Sequence, residues 1–256
     1  MILTEKLQSE HRGIFICYVM YIGMLSIFPL KASSGLSNYI NYMGDGFRET
    51  VSNRSNQWIL AGATISILAT RQFDDNVQKY SLENRLMSES LSKIFDVYGN
   101  RYAYPAGFAV VGLSAYLDSG AGKLIQDVKY FATAVIVTGG TTDLLKNISK
   151  RKRPNKIGTR SFPSGHTSGS FCVAAVMNEI YGSKIGIPLY LIATGVGLQR
   201  IHDNKHWLTD VIAGATLGTV IGRGFGKVYQ KENSETISIV PAGRQGNWQM
   251  TIIIPM

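Results

Sequence analysis

Apolar residues recur at helical spacing along most of the chain after residue 35, and short segments rich in polar residues, Pro or Gly separate them. The pattern predicts seven helices, at residues 57–70, 77–98, 102–117, 124–150, 164–181, 187–200 and 206–229. Helices joined by short connections pack most simply as a bundle. We therefore expect an all-α fold with about six core helices.

The length of the apolar runs limits how this bundle can relate to a membrane. The uncharged runs at 55–70, 102–117 and 185–199 hold only 15 or 16 residues. A helix that crosses a bilayer needs about 20 apolar residues. The pattern therefore favours a compact bundle that is largely soluble or only shallowly inserted.

The two ends of the chain have a different pattern. Residues 13–30 are eighteen uncharged residues after a polar, partly basic start, and they predict a signal peptide or a membrane anchor over residues 1–34. At the other end, β-branched runs at 236–240 and 248–254 predict a small β-hairpin. The expected organisation is a leader (1–34), a helical domain (35–230) and a hairpin tail (231–256).

Composition narrows the classes of function. The 256 residues include 26 Lys and Arg against 17 Asp and Glu, a net charge of +9. Such a balance favours phosphate esters, membrane surfaces or nucleic acid as partners. The two cysteines, Cys17 and Cys172, are too few for a disulfide framework and do not suggest a thiolate metal site.

A strongly basic segment is the first candidate for chemistry. Residues 146–160 contain seven basic residues and no acidic one, namely Lys146, Lys150, Arg151, Lys152, Arg153, Lys156 and Arg160. So much positive charge in fifteen residues indicates an anion nearby. A solvated helix end, or a topology signal beside a membrane, would give the same run.

A predicted helix start follows directly. Ser164 is the expected N-cap, Gly165 leaves room for an anion to approach, and His166 lies in the first turn. The free backbone N–H groups and the dipole of a helix N-terminus together form an anion site. Simple helix capping without catalysis would also account for these residues.

A third cluster pairs a histidine with a carboxylate. On a predicted helix, His206 and Asp210 are four residues apart and share a face, so the carboxylate can orient the imidazole as a nucleophile. A structural hydrogen bond is the simpler alternative. Gly214, Gly218 and Gly222 continue the same spacing and predict close packing against another helix.

Taken together, the clusters form a spaced signature: Lys146, six residues, Arg153-Pro154; then Pro163-Ser164-Gly165-His166; then Arg200, five residues, His206, three residues, Asp210. Order and spacing closely resemble the three-part signature of the type 2 phosphatidic acid phosphatase and vanadium haloperoxidase superfamily. One position departs from it, because Gln199 stands where the family usually has Ser before the arginine. The departure affects one expected phosphate hydrogen bond.

The resemblance implies a role for each matched residue. Lys146, Arg153, Ser164, Gly165 and Arg200 would bind the phosphate oxygens. His206 would attack phosphorus, Asp210 would orient it, and His166 would protonate the leaving oxygen. No cofactor and no metal ion would be required, because fixed cations and a helix terminus stabilise the charge on the phosphoryl oxygens.

The function expected from this resemblance is hydrolysis of a phosphate or pyrophosphate monoester, with a phosphorylated lipid or a small ester as substrate. The membrane surface is the expected partner and nucleic acid is not. The expected location is a bacterial cell envelope, periplasmic or membrane-anchored, with the active site outside the cytoplasm. Four alternatives remain open: a vanadium-dependent haloperoxidase, a soluble non-specific acid phosphatase, a nucleic-acid-binding protein and an inert envelope protein.

Overall fold

The computed structural model describes residues 34–118, 120–234, 238–244 and 247–253. Most of this described part is α-helical, and its α-helices are α1 (Ser34–Ser52), α2 (Arg54–Thr70), α3 (Asp74–Asn84), α4 (Glu89–Val97), α5 (Ala103–Asp118), α6 (Gly120–Ser149), α7 (Gly165–Tyr181), α8 (Ser183–His202) and α9 (Leu208–Ser234). A 3-10 turn (Arg71–Phe73) precedes α3, and a π-helical turn (Tyr98–Tyr102) joins α4 to α5. The predicted all-α bundle is confirmed.

Helix α7 is the central helix of the bundle. It packs against α5, α6, α8 and α9, and ten of its 17 residues are buried. Around it, Phe131 of α6, Met177 of α7 and Phe225 of α9 form the apolar core with almost no exposed surface. Because its neighbours enclose α7 on several sides, packing holds this helix in place within the bundle.

The contact between α7 and α9 depends on glycine. A Cβ atom at Gly214 would lie 2.5 Å from the carbonyl oxygen of Ser164, and one at Gly218 would lie 2.1 Å from that of Ser168. Both distances are far below van der Waals contact, so only glycine fits at these positions. The predicted close packing along this face of α9 is confirmed, and it places the start of α9 against the start of α7.

The N-terminal helices differ from the prediction in two ways. The segment expected to form one helix at 77–98 is two helices, because Arg85 adopts a positive φ of 45° after α3 and Ser88 caps α4 by accepting a hydrogen bond from the Leu91 N–H. Helix α1 was not among the predicted helices. Its sequence contains Gly35, Gly44 and Gly46, which lower the helix propensity.

The sequence predicts a leader at the N-terminus and a hairpin at the C-terminus. The leader predicted over residues 1–34 lies outside the described residues except for Ser34. After α9, the strands β1 (Ser238–Arg244) and β2 (Asn247–Ile253) pair antiparallel, with Ser238 opposite Ile253. This pairing falls in the segment for which the sequence predicts a hairpin.

Many large apolar side chains lie on the outside of the bundle. They include Trp58, Ile65 and Leu68 of α2, Val110, Leu113 and Leu117 of α5, and Ile185, Ile187 and Leu191 of α8. Among the described helices, none has both the length and the apolar character that a membrane crossing requires.

Candidate active site

Three segments of the chain meet beside the N-terminus of α7. They are the loop between α6 and α7, the first turn of α7, and the loop between α8 and α9. Backbone hydrogen bonds join them: the Ser164 N–H donates to the carbonyl of Asp210 (2.9 Å), and the Asn155 N–H donates to that of Asn204 (3.2 Å). The fold thus brings together the three residue clusters found in the sequence.

The three cations predicted to bind phosphate all affect one side chain, the imidazole of His206. Lys146 lies in the last turn of α6 and Arg200 in the last turn of α8, and both are buried. Arg153 lies in the loop between α6 and α7. The positive charges of all three lower the pKa of His206.

His206 is not on a helix, so the prediction that His206 and Asp210 share a helical face is wrong. Helix α9 begins at Leu208, and His206 belongs to the preceding loop, where its N–H donates to the carbonyl of Arg200 (3.2 Å). Asp210 caps this helix start by accepting the Trp207 N–H at Oδ2 (3.0 Å). The same Oδ2 lies 3.6 Å from Nδ1 of His206, too far for a hydrogen bond.

Asp210 is fully buried and accepts several further hydrogen bonds. Arg151 Nη1 donates to Oδ1 (2.6 Å), and the hydroxyl of Ser161 donates to Oδ2. Together with the Trp207 N–H, these donors fix the carboxylate. The side of Oδ2 is thereby held towards Nδ1 of His206.

The first turn of α7 matches the prediction in position but not in every bond. Ser164 is the N-cap residue, yet its hydroxyl does not cap the helix and instead pairs with the Thr167 hydroxyl (2.8 Å). A Cβ atom at Gly165 would lie 3.6 Å from Cε of Lys146. Glycine at this position therefore keeps the space beside the Lys146 side chain open.

His166 lies between this turn and the N-terminal half of the bundle. A Cβ atom at Gly99, in the π-helical turn, would lie 3.5 Å from Cδ2 of the His166 ring and 2.8 Å from Val196. The π-helical turn therefore passes directly beside the imidazole. Glycine at position 99 leaves room for Val196, which a Cβ atom would approach to 2.8 Å.

A carboxylate from α4 contacts one of the cations. Oδ1 of Asp96 accepts a hydrogen bond from Nη1 of Arg200 (2.7 Å) and lies 3.5 Å from Nζ of Lys205. The Asp96 side chain is 33% exposed, whereas that of Arg200 is 3% exposed. Asp96 thus lies between the buried arginine and solvent.

Gln199, the departure from the signature, takes part in the packing of the same helices. Its side chain is fully buried, and Nε2 donates to Oδ2 of Asp203 (2.6 Å) and to the Ser92 hydroxyl (3.4 Å). The amide therefore links α8 to α4 and to the loop after α8.

The electrostatic environment keeps both histidines neutral. Burial lowers the pKa of His206 well below its usual value, and the charges of Lys146, Arg200 and Arg153 lower it further. Burial likewise lowers the pKa of His166, followed by the charges of Arg200 and its neighbours. A neutral imidazole has a free lone pair, so each ring can act as a nucleophile or accept a proton.

Four polar residues that contact this site were not predicted: Asp74, Asp96, Arg151 and Ser161. Arg151 was noted only as one of seven basic residues, because its charge alone does not distinguish it from Arg153. The sequence carries one signal for Asp96, since Ser92 and Asp96 are four apart and share a helix face. Nothing beyond its position at a helix start indicates Asp74.

Histidines with a lowered pKa, buried cations and a helix N-terminus are groups that can bind a tetrahedral oxyanion such as phosphate. The sequence profile of the PAP2 superfamily matches residues 127–234, a segment that contains every predicted site residue. Residues 127–234 are therefore a PAP2 superfamily domain.

Two curated relatives are similar to part of the chain. A lipid A 1-phosphatase of Porphyromonas gingivalis is 34% identical over 94 residues, which are 36% of this chain and 21% of that protein. Lipid phosphate phosphatase 1 of Arabidopsis thaliana is 32% identical over 130 residues, which are 34% of this chain and 40% of that protein. The chain thus spans well under half the length of these two relatives.

A solved structure extends the likeness to the fold. The transmembrane PAP2 type phosphatidylglycerolphosphate phosphatase from Bacillus subtilis aligns with a TM-score of 0.50 at 19% identity. The alignment covers 72% of this chain and 97% of that one. The likeness therefore concerns most of the bundle.

Proposed function

We propose that this chain is a metal-independent phosphatase that hydrolyses a phosphate or pyrophosphate monoester, of a lipid, through a phosphohistidine intermediate. The observation that carries the proposal is the position of two neutral histidines among three cations at the N-terminus of α7. The relatives named above, a lipid A 1-phosphatase and a lipid phosphate phosphatase, support it.

Substrate binding uses the positive charges. Lys146, Arg153 and Arg200 bind the phosphate oxygens, and the Ser164 hydroxyl and the Gly165 N–H add hydrogen bonds. An arginine can hold two oxygens at once with its planar guanidinium. The same groups stabilise the charge on these oxygens in the transition state, so the mechanism needs no metal ion.

The first chemical step forms the phosphoenzyme. Nε2 of His206 attacks phosphorus, and the bond from phosphorus to the leaving oxygen breaks. His166 takes up a proton from solvent when the dianionic substrate binds, because the charge of the substrate offsets that of the cations, and it then gives this proton to the leaving oxygen. The carboxylate of Asp210, 3.6 Å from Nδ1 of His206, stabilises the positive charge that develops on the ring.

The second step releases phosphate. His166, now neutral, takes a proton from a water molecule as that water attacks phosphorus. The bond between phosphorus and Nε2 of His206 breaks, and inorganic phosphate leaves. His166 releases the proton that it took from water to solvent as phosphate leaves, and the enzyme returns to its starting state with both imidazoles neutral.

The exposed apolar side chains support a lipid substrate and contact with a membrane surface. Trp58, Ile65 and Leu68 of α2 are each about 70% exposed, at 72%, 68% and 70%. Large exposed apolar groups commonly mark contacts with partners or membranes. The lipid would carry its phosphate to the site while its apolar part stays in the bilayer.

The proposed location is the cell envelope of a bacterium, periplasmic or anchored in the membrane, with the active site outside the cytoplasm. The basis is the apolar 13–30 segment in the predicted leader, followed by the domain at 35–230 and the tail at 231–256. Protease digestion of intact and lysed cells tests the location. Protection of the chain in spheroplasts would contradict it.

Phosphate release from a panel of esters tests the activity. The panel pairs phosphatidate, an isoprenyl pyrophosphate and a lipid A phosphate with a soluble aryl phosphate, each with and without detergent. We expect turnover that survives EDTA and is inhibited by vanadate. Loss on chelation that Mg²⁺ or Zn²⁺ restores would contradict the mechanism, and bromide oxidation with vanadate and peroxide would favour a haloperoxidase.

A further inference from the structure

The guanidinium of Arg151 is bound by side chains of two helices, α3 and α9. Its guanidinium is held by three side chains of the protein: Nη1 donates to the Thr209 hydroxyl (2.7 Å) and to Oδ1 of Asp210 (2.6 Å), and Nη2 donates to Oδ2 of Asp74 (2.6 Å). The ring of Trp207 lies 5.5 Å from the guanidinium carbon. Both terminal nitrogens are therefore engaged by protein acceptors.

Asp74 completes the arrangement from the N-terminal half of the bundle. It is buried at the start of α3, where Oδ1 accepts the Thr209 N–H (3.0 Å) and Oδ2 accepts the Thr209 hydroxyl (2.7 Å) as well as Arg151. Its carboxylate thus joins α3 to the first turn of α9. That turn also carries Asp210.

A buried ion pair of this kind is not needed for stability alone. Removing two charges from water costs much of what their attraction returns, so apolar residues of similar volume often stabilise as well. A charged, fully hydrogen-bonded network does, however, fix one geometry. The group whose geometry this network fixes is the carboxylate of Asp210.

We propose that Arg151 and Asp74 form a positioning pair for the nucleophile. Arg151 holds Oδ1 of Asp210, which leaves Oδ2 directed at Nδ1 of His206, 3.6 Å away. Asp74 holds Arg151 in turn. Neither residue contacts the substrate, and both act through Asp210 on the orientation of the His206 ring.

The proposal rests on the proposed function, since it concerns the orientation of His206 as a nucleophile. It predicts a specific kinetic signature. Arg151→Ala should lower kcat by about 10- to 100-fold, because a small misplacement of a reacting group costs up to about 100-fold in rate. The KM of the substrate and the inhibition constant of inorganic phosphate should change by less than about threefold, because the phosphate-binding cations are untouched.

The matched control is Arg160→Ala. Arg160 lies in the same loop and makes ion and hydrogen-bond contacts with Asp143 and Asn147, but its side chain is 46% exposed and none of its side-chain contacts includes Asp210. We expect wild-type kcat for this variant. Added guanidinium chloride, at tens of millimolar, should raise the kcat of Arg151→Ala severalfold and should not raise that of Arg160→Ala, whereas sodium chloride should rescue neither.

Asp74→Asn keeps the test decisive if Arg151→Ala does not fold. The amide retains the size of the carboxylate but loses the ion pair, so kcat should fall by about tenfold with unchanged phosphate inhibition. In single-turnover experiments both variants should form phosphohistidine more slowly. Formation at the wild-type rate, or phosphate binding that weakens in parallel with kcat, would overturn the proposal, whereas a wild-type protein with no turnover would instead refute the proposed function.

Discussion

The two halves of the bundle contribute to the site in different ways. The C-terminal half, from α6 to α9, supplies the histidines, the cations proposed to bind phosphate, and the helix N-terminus. The N-terminal half supplies Asp74 of α3 and Asp96 of α4, which bind Arg151 and Arg200 through their carboxylates. In the proposed mechanism, one half presents groups to a substrate and the other half holds those groups.

This division separates two kinds of residue that have the same charge. Arg151 and Arg153 are two positions apart in one basic segment, yet the first is bound by Asp74 and Asp210 while the charge of the second acts on His206. Net charge therefore predicts that an anion binds but not which cation binds it. Variants in each half test whether the two halves differ in function as they do in structure.

The largest effect is expected for His206→Ala. Loss of the nucleophile should reduce phosphate release by about 10⁴-fold or more, since removing a nucleophile leaves only the contribution of binding and charge stabilisation. Acid-labile phosphate should not accumulate on the protein. The measurement is phosphate release together with rapid-quench detection of phosphohistidine.

Correct folding of that variant is checked by its melting temperature and by its affinity for inorganic phosphate, measured by direct binding and not by inhibition. A folded variant with unchanged turnover would remove His206 from the mechanism. It would also weaken the distinction between the two halves, because His166 would then be the one proposed reacting group left in the C-terminal half.

His166→Ala should show a smaller effect that depends on the leaving group. General acid catalysis contributes about 10²- to 10⁴-fold for poor leaving groups such as lipid alkoxides, and little for an activated aryl phosphate. With the aryl substrate, the variant should accumulate phosphohistidine, because water attack also needs a base. Equal loss with both substrates, and no intermediate, would mean that His166 binds phosphate and transfers no proton.

How far the sequence predicts this molecule follows from the same division. The sequence could propose eight candidate site residues because they lie in short segments at fixed spacing: Lys146, Arg153, Ser164, Gly165, His166, Arg200, His206 and Asp210. Asp74 and Asp96 are far from those segments in the chain, and only the folding of α3 and α4 against α8 and α9 brings them near. Local patterns carry no information on such contacts.

The secondary structure shows a similar limit. Apolar periodicity predicts the long helices of the C-terminal half, but it does not show that Arg85 breaks the 77–98 segment or that α9 starts two residues after His206. Both boundaries depend on backbone conformation and capping by single residues. The glycine spacing of α9, in contrast, predicts its close contact with α7, because glycines four residues apart on one helix face allow two helix backbones to approach closely.

A third prediction concerns stability below neutral pH. The pKa of His166 and that of His206 are lowered in the folded state, first by burial and then by the surrounding cations. Below about pH 6.5 the unfolded chain therefore binds more protons, and the free energy of unfolding falls as the pH falls. Each histidine contributes at most about 1.4 kcal/mol per pH unit.

Denaturant unfolding at pH 5, 6 and 7 measures this effect above the range in which ordinary carboxylates titrate, near pH 4. His166→Gln removes one of the two groups, so its stability should fall less steeply between pH 7 and pH 5 than that of the wild type. An identical slope would mean that His166 is protonated in the folded protein. The cations of the C-terminal half would then not control the charge of His166.

The smallest effect is expected where the N-terminal half touches a phosphate-binding cation directly. Asp96→Asn removes the carboxylate that accepts a hydrogen bond from Arg200, and its amide cannot compensate the positive charge. Inorganic phosphate should therefore bind about two- to fivefold more tightly, because partly exposed ion pairs are worth roughly 0.2 to 1 kcal/mol. Product inhibition measured on a soluble aryl phosphate gives the affinity.

The matched control is Glu83→Gln, which changes the net charge equally but affects only the exposed pair with Lys79 on α3. Weaker phosphate binding by Asp96→Asn, with the control unchanged, would mean that Asp96 holds Arg200 in place for the substrate and does not compete with it.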